Sequence, residues 1–247
     1  MEVFIGLLLT FAVGLFILIG SAIIIFTKNS QKIVAFSMSF AFTVMLGLIF
    51  LELIPESLEH INDSLTVSII LTFIFSLLGI LFLKVLDHFI PHHEHIKNDE
   101  NLYHIGIVSS IALILHNFIE GMAIFGTTLS NISLGILVSI GVGIHNIPMG
   151  MIITSALYKK EKNNKKTIVI LLLLAISALV GGVVMTLLSV YINDFILGIC
   201  LAITLGMLIY ISIFELLPKM EFKTKTNTLG IVLGIIVLLI SLLFHHH

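Results

Sequence analysis

Two short stretches, HNFIEGM from His116 to Met122 and HNIPMGM from His145 to Met151, repeat a histidine, an asparagine and a glycine at one spacing inside apolar sequence. In the first, His116 and Glu120 stand at i and i+4, which puts both side chains on one helix face. In the second, His145 and Met149 have the same relation. Two such faces turned toward each other would offer two imidazoles, a carboxylate and a thioether to a single ion. That donor set suits zinc, iron and other divalent first-row metals, whereas magnesium takes oxygen ligands. Asn117 and Asn146 could act as hydrogen-bonding glue between helices.

The elements that must position these residues follow from composition. The 247 residues are 58% hydrophobic and 11% charged, with no arginine, far more apolar than an ordinary soluble domain. The chain therefore reads as an integral membrane protein. Phosphate binding needs a clustered basic face, so nucleic acid is excluded as a partner. The lone cysteine, Cys200, rules out an intrachain disulfide framework. Crossing about 30 Å of hydrocarbon takes roughly 20 apolar residues per helix. Eight runs qualify, at approximately 3–26, 33–54, 66–90, 103–127, 132–157, 167–191, 195–217 and 228–244. The first has Glu2 in place of a basic n-region and is too long for a signal h-region. Connections are short, so residues 1–247 form one all-α polytopic membrane domain. His245, His246 and His247 resemble the start of a purification tag and are set aside.

Lysines set the orientation. Lys28 and Lys32 lie between spans 1 and 2, Lys97 between 3 and 4, Lys159 to Lys166 between 5 and 6, and Lys219, Lys223 and Lys225 between 7 and 8. Lys84 sits near the same end of span 3 and can snorkel there. The positive-inside rule then places those loops in the cytoplasm and both termini outside the cell membrane. The opposite end carries Glu2, Glu52, Glu56, Glu59, Asp63 and Asp194, which would draw cations or simply form a solvated acidic surface.

The chain also repeats itself with opposite sidedness. Span 2 ends in Glu52-Leu53-Ile54-Pro55 at the acidic end, and span 7 in Glu215-Leu216-Leu217-Pro218 at the lysine end. That is the signature of an inverted repeat, whose sites lie near mid-depth. By helical rise, His116 and His145 each lie about 13 residues into their spans, near the middle. There an ionisable Glu120 costs on the order of 2.5–3.5 kcal/mol even on lenient insertion scales, which makes it a functional candidate. Pro148 lacks the N–H that would bond the Ile144 carbonyl, so span 5 can kink beside the site. Gly121 and Gly150 would let other helices approach closely. Met122, Met151, Met185 and Met207 read as packing.

The stretch DHFIPHHEHIKNDE supplies Asp87, His88, His92, His93, Glu94 and His95 to a cytoplasmic loop. Histidine-rich tracts bind transition metals, so this one could sense or receive an ion, or be a polar loop only. Other classes remain open on residues alone. An intramembrane zinc hydrolase could use Glu120 as base, although no H-E-x-x-H is present. A bis-histidine haem protein could use His116 and His145, and a metal sensor need not move its ion.

Eight spans, HNF-x-E-G in span 4, H-N-I-P-x-G in span 5, the histidine-bearing loop and the two E-L-x-P endings together resemble the ZIP (Zrt/Irt-like) divalent metal transporters over nearly the whole chain. The resemblance implies a ZIP-like bundle that is not an enzyme, has no cofactor, and takes Zn2+ into the cytoplasm, with Fe2+, Mn2+ and Cd2+ as related substrates. It implies an elevator-like motion of spans 1, 4, 5 and 6 against 2, 3, 7 and 8. Carried over by position, His116, Glu120 and His145 would hold the primary metal, with Asn117 and Asn146 toward a second. Expected partners are divalent metal ions and membrane lipid, with homodimerisation open. The sequence departs from the family at Met149, where a second glutamate is usual, at Ile119 in place of proline, and at Gly181 or Gly182, where span 6 often has another glutamate. With those carboxylates missing, one bound metal is better supported than two, held more weakly or with a bias toward softer ions.

Overall fold

A chain that cannot hydrogen-bond to hydrocarbon must satisfy its backbone within each segment, and here it does so with helices. The computed structural model describes residues 1–27, 31–61, 64–89, 98–158, 165–188, 193–220 and 224–245. The helices are α1 (Glu2–Phe26), α2 (Gln31–Leu48), α3 (Ile54–Ile61), α4 (Leu65–Phe89), α5 (Asn98–Ser130), α6 (Ile132–Leu157), α7 (Lys165–Leu188), α8 (Asp194–Tyr210) and α9 (Lys225–His245). Asparagines start two of them: Asn131 accepts from the Leu134 N–H (3.2 Å) at α6, and Asn193 from the Ile196 N–H (3.0 Å) at α8. Hydroxyls inside spans bond back to their own helix, as Thr204 does to the Cys200 carbonyl (2.8 Å). Outward-facing Ile70, Phe73, Leu77 and Leu81 on α4 give an exterior suited to hydrocarbon.

Helices cover the eight expected runs, with adjusted ends, and among the described residues seven are long and apolar enough to cross a membrane, with Lys225–Ser241 a shorter apolar helix. Span 2 runs on past residue 54 as a continuous rod, Gln31–Ile61, because a π-helical segment, Ile49–Leu53, joins α2 to α3. Its counterpart, Ile211–Leu216, follows α8 and leads into a short 3₁₀ turn, Leu217–Lys219. Each π segment precedes the proline of an E-L-x-P motif. A proline has no N–H for the carbonyl four residues back and its ring crowds that carbonyl, which favours a widened turn. Glu52 and Glu215 lie in these turns, and each is only 7% exposed. Pro148, by contrast, sits inside α6, which continues through it to Leu157.

Packing divides the chain into two sets. In the bundle, α1 packs on α6 and α7, and α5 on α7 and α6; in the frame, α2 packs on α9, and α8 on α4 and α3. The glycines draw the same division. A Cβ on Gly150 would overlap the Ile17 carbonyl oxygen of α1, and one on Gly121 the Ala178 carbonyl oxygen of α7. These are the two glycines of the duplicated motif, so each copy clamps its helix backbone-to-backbone onto a partner, as expected. In the frame, Gly206 meets the Ser76 carbonyl and Gly79 the Ile203 carbonyl in the same way. No described glycine makes such an approach from bundle to frame. That seam is filled by side chains: Met38, Met45 and Met207 of the frame belong to one apolar cluster with Met149 and Met151 of the bundle.

Candidate metal centre

α5 and α6 are neighbours within the bundle, and their duplicated motifs face each other as the i, i+4 spacing requires. His116 Nε2 lies 3.1 Å from Glu120 Oε1, and His145 Nε2 lies 2.9 Å from the same oxygen. The two imidazole rings are 6.3 Å apart by centroid, tilted 34°. His116, Glu120 and His145 are buried, at 1%, 6% and 0% exposure, and one ligand atom from each lies within 4.8 Å of the others. In a tetrahedral zinc site with bonds of about 2.0–2.1 Å, neighbouring donor atoms stand about 3.3 Å apart. The two nitrogen–oxygen separations already approach that length, so an ion could enter with small side-chain adjustments.

The surroundings leave donor capacity unused. Glu120 Oε2, His145 Nδ1, Asn117 Oδ1 and both amide atoms of Asn146 are buried without a hydrogen-bond partner among the described residues. Orphaned buried polar atoms are expensive, and the cost is recovered when an ion or its hydration shell takes them up. Asn117 also donates through Nδ2 to the Leu174 carbonyl of α7 (3.5 Å), so it holds the bundle together as well as flanking the centre. Met149 is buried one turn further along α6 from His145. Glu52 and Glu56 of the frame lie near enough for their charge to act on His116.

Of the loop histidines, His88 is exposed near the end of α4, while His92, His93 and His95 lie outside the described residues. In the sequence Asp87 belongs to that loop and Glu215 to a repeat, with nothing to join them. The structure brings Asp87 of α4, His104 of α5 and Glu215 of the second π segment within 4.8 Å of one another at the lysine-bearing end. His104 bonds Asp87 through Nε2, and the Tyr210 hydroxyl donates to the other oxygen of Asp87 (3.0 Å). His104 stands alone in the sequence, with no motif to mark it. Its depth, about 12 residues or 18 Å along α5 from His116, puts it level with the ends of spans 3 and 7.

The span-6 departure has a structural cause. A Cβ on Gly181 would overlap the Phe118 carbonyl oxygen, so that position admits no side chain while α5 and α7 pack this closely. A Cβ on Gly182 would press on the Thr10 side chain of α1 at 3.0 Å, tighter than an ordinary contact, and would meet Leu7 at 3.5 Å. The carboxylate often found on this span is replaced here by tight helix packing.

A family profile for the ZIP Zinc transporter matches residues 91–242. The chain is 34% identical to a zinc transporter ZupT of Chlorobium luteolum, over 96% of this chain and 97% of the relative. It is 29% identical to the zinc transporter ZupT of Clostridium perfringens (98% and 96% covered) and 29% to that of Campylobacter jejuni (98% and 96%). With a helical bundle of this kind and a match of this extent, the chain belongs to the ZIP zinc transporter family, a family of multi-pass membrane transporters and not of enzymes.

Proposed function

We propose that this protein moves divalent transition-metal ions, zinc foremost, across the cell membrane into the cytoplasm through a mid-depth site made by His116, Glu120 and His145. The observation that carries this reading is the convergence of two imidazoles and one carboxylate, all buried, on one point between α5 and α6. Buried ionisable groups in a membrane span are retained for function, and this donor set matches zinc. Fe2+, Mn2+ and Cd2+ can use the same ligands. The similarity to proteins named as zinc transporters points the same way. Asn117 and Asn146 flank the ion, and Met149 stands where a second carboxylate would neutralise it.

The division into bundle and frame supplies the motion. Both halves of the site belong to the bundle, whose helices are clamped through glycines, so the site travels as a unit while the side-chain seam slides. The lysines at one end support a cytoplasmic location for it, with both termini outside, and the acidic residues at the other end would concentrate cations where they enter. The test is zinc uptake into proteoliposomes. Wild type should accumulate zinc down an imposed gradient, and Glu120→Ala should not, while remaining folded. Equal uptake by both would remove the site from the pathway.

A further inference from the structure

The lysine-bearing end holds a polar tie that the central site does not use. We propose that Asp87, oriented by Tyr210 and paired with His104, is a latch across the seam that keeps this end closed and must open each time the bundle moves against the frame; the idea rests on the two-body reading above. His104 belongs to α5 of the bundle, whereas Asp87 and Tyr210 belong to α4 and α8 of the frame. Elsewhere α4 touches α5 only slightly, so this pair is a large part of what joins them. Both oxygens of Asp87 are engaged: one meets His104 Nε2 and the other accepts from the Tyr210 hydroxyl (3.0 Å). The tyrosine thus fixes the carboxylate from the frame side.

Burial makes the tie strong. The side chains of His104 and Asp87 are 11% and 16% exposed, so water competes weakly for them, and a hydrogen bond to an ionised carboxylate in such a place is among the stronger ones. What lies behind the latch is sealed. Ser109, on α5 between His104 and His116, is 0% exposed, and its hydroxyl has no hydrogen-bond partner among the described residues. An ion leaving the central site toward this end must pass that depth, and the latch closes the bundle against the frame just below it. The contrast with the glycine clamps is instructive. Those fix helices that never separate, whereas a side-chain pair can let go and re-form.

The test places a thiol behind the latch. In a Cys200→Ser background, Ser109→Cys is labelled with a water-soluble maleimide in purified protein in lipid nanodiscs, and the rate is compared among latch variants. His104→Ala and Asp87→Ala should each label about tenfold faster, the size expected when one charge-assisted hydrogen bond is lost. Tyr210→Phe should give a smaller increase of about two- to threefold. The His104→Ala/Asp87→Ala double variant should label no faster than the faster single, because the tie between them is already gone. His104→Gln, which can still donate to Asp87, should restore most of the slow rate and separates loss of the bond from loss of fold. Parent rates in the single variants, multiplying rates in the double variant, or a His104→Gln rate equal to His104→Ala would each overturn the latch. Zinc added to the parent distinguishes the underlying reading. If zinc changes the labelling rate but the substitutions do not, only the latch falls. If neither changes it, the two-body motion falls with it.

Discussion

The central cluster and the cluster at the lysine-bearing end contain the same chemistry and are built in opposite ways. His116, Glu120 and His145 all project from helices of one bundle, and the glycines of their own motif, Gly121 and Gly150, clamp those helices to α7 and α1. Asp87, His104 and Glu215 are divided, one side chain on the bundle and two on the frame. A site carried on one rigid unit keeps its geometry while the unit moves. One shared across a sliding seam is made in one arrangement and broken in another. Under the proposed function, position relative to the seam, more than residue type, is what would make one cluster a cargo site and the other a restraint on conformation.

The largest effect expected from breaking this contrast is at the cargo site. Replacing a group that merely supports a metal ligand costs about 10- to 100-fold in affinity, so Glu120→Ala, which removes the one carboxylate, should lower zinc affinity by more than about a hundredfold. Calorimetry on the purified protein checks this, and His116→Ala and His145→Ala should follow closely. Next comes the clamp. Gly121→Ala or Gly181→Ala would drive a methyl into a backbone carbonyl that cannot rotate away. Overpacking of this kind costs about 1–3 kcal/mol or more. Both variants should lose thermal stability and zinc binding together, whereas Gly126→Ala, whose Cβ would meet only the Met185 methyl at ordinary distance (3.7 Å), should lose neither.

Much of this contrast was legible in the sequence, and the limit was adjacency. The duplicated H-N-x-x-x-G-M gave the central residues because i, i+4 spacing fixes a helix face and the repeat supplies the second face. The positions of Glu52 and Glu215 followed from the E-L-x-P repeat, but not their lodging in π-helical turns, since a proline that favours a widened turn does not by itself dictate one, as Pro148 inside the continuous α6 shows. Asp87, His104 and Glu215 come from three distant parts of the chain. The sequence could say that they share an end of the membrane, but only helix packing makes them neighbours. Gly181 shows the reverse: its lack of a carboxylate was plain, and the reason, contact with Phe118 of α5, required the structure.

A smaller effect would sharpen the account of charge. A divalent ion beside one carboxylate leaves about one positive charge uncompensated, and Met149 stands on the face that carries His145. Glutamate is close to methionine in length, so Met149→Glu can bring a second carboxylate to the ion without repacking. After desolvation of the new carboxylate is set against Coulomb attraction, zinc should bind about tenfold more tightly. Release should slow, so uptake at saturating zinc should fall modestly. Binding no tighter than wild type in a folded variant would mean that Met149 is a packing residue. The same pair of proteins tested with a softer ion such as Cd2+ should show a smaller gain, because a softer ion gives up more when the thioether is replaced.

The central claim is that one ion is held by groups of a single bundle, two imidazoles and the Glu120 carboxylate. X-ray absorption at the zinc edge, on protein loaded with one equivalent, reads that donor set without regard to turnover. A first shell of nitrogen and oxygen at about 2.0–2.1 Å, with outer-shell scattering from two imidazoles and none from sulfur, is the predicted result. His145→Ala should remove one imidazole from that pattern. A sulfur shell near 2.3 Å, or a spectrum unchanged by His145→Ala, would contradict the claim and place the ion elsewhere.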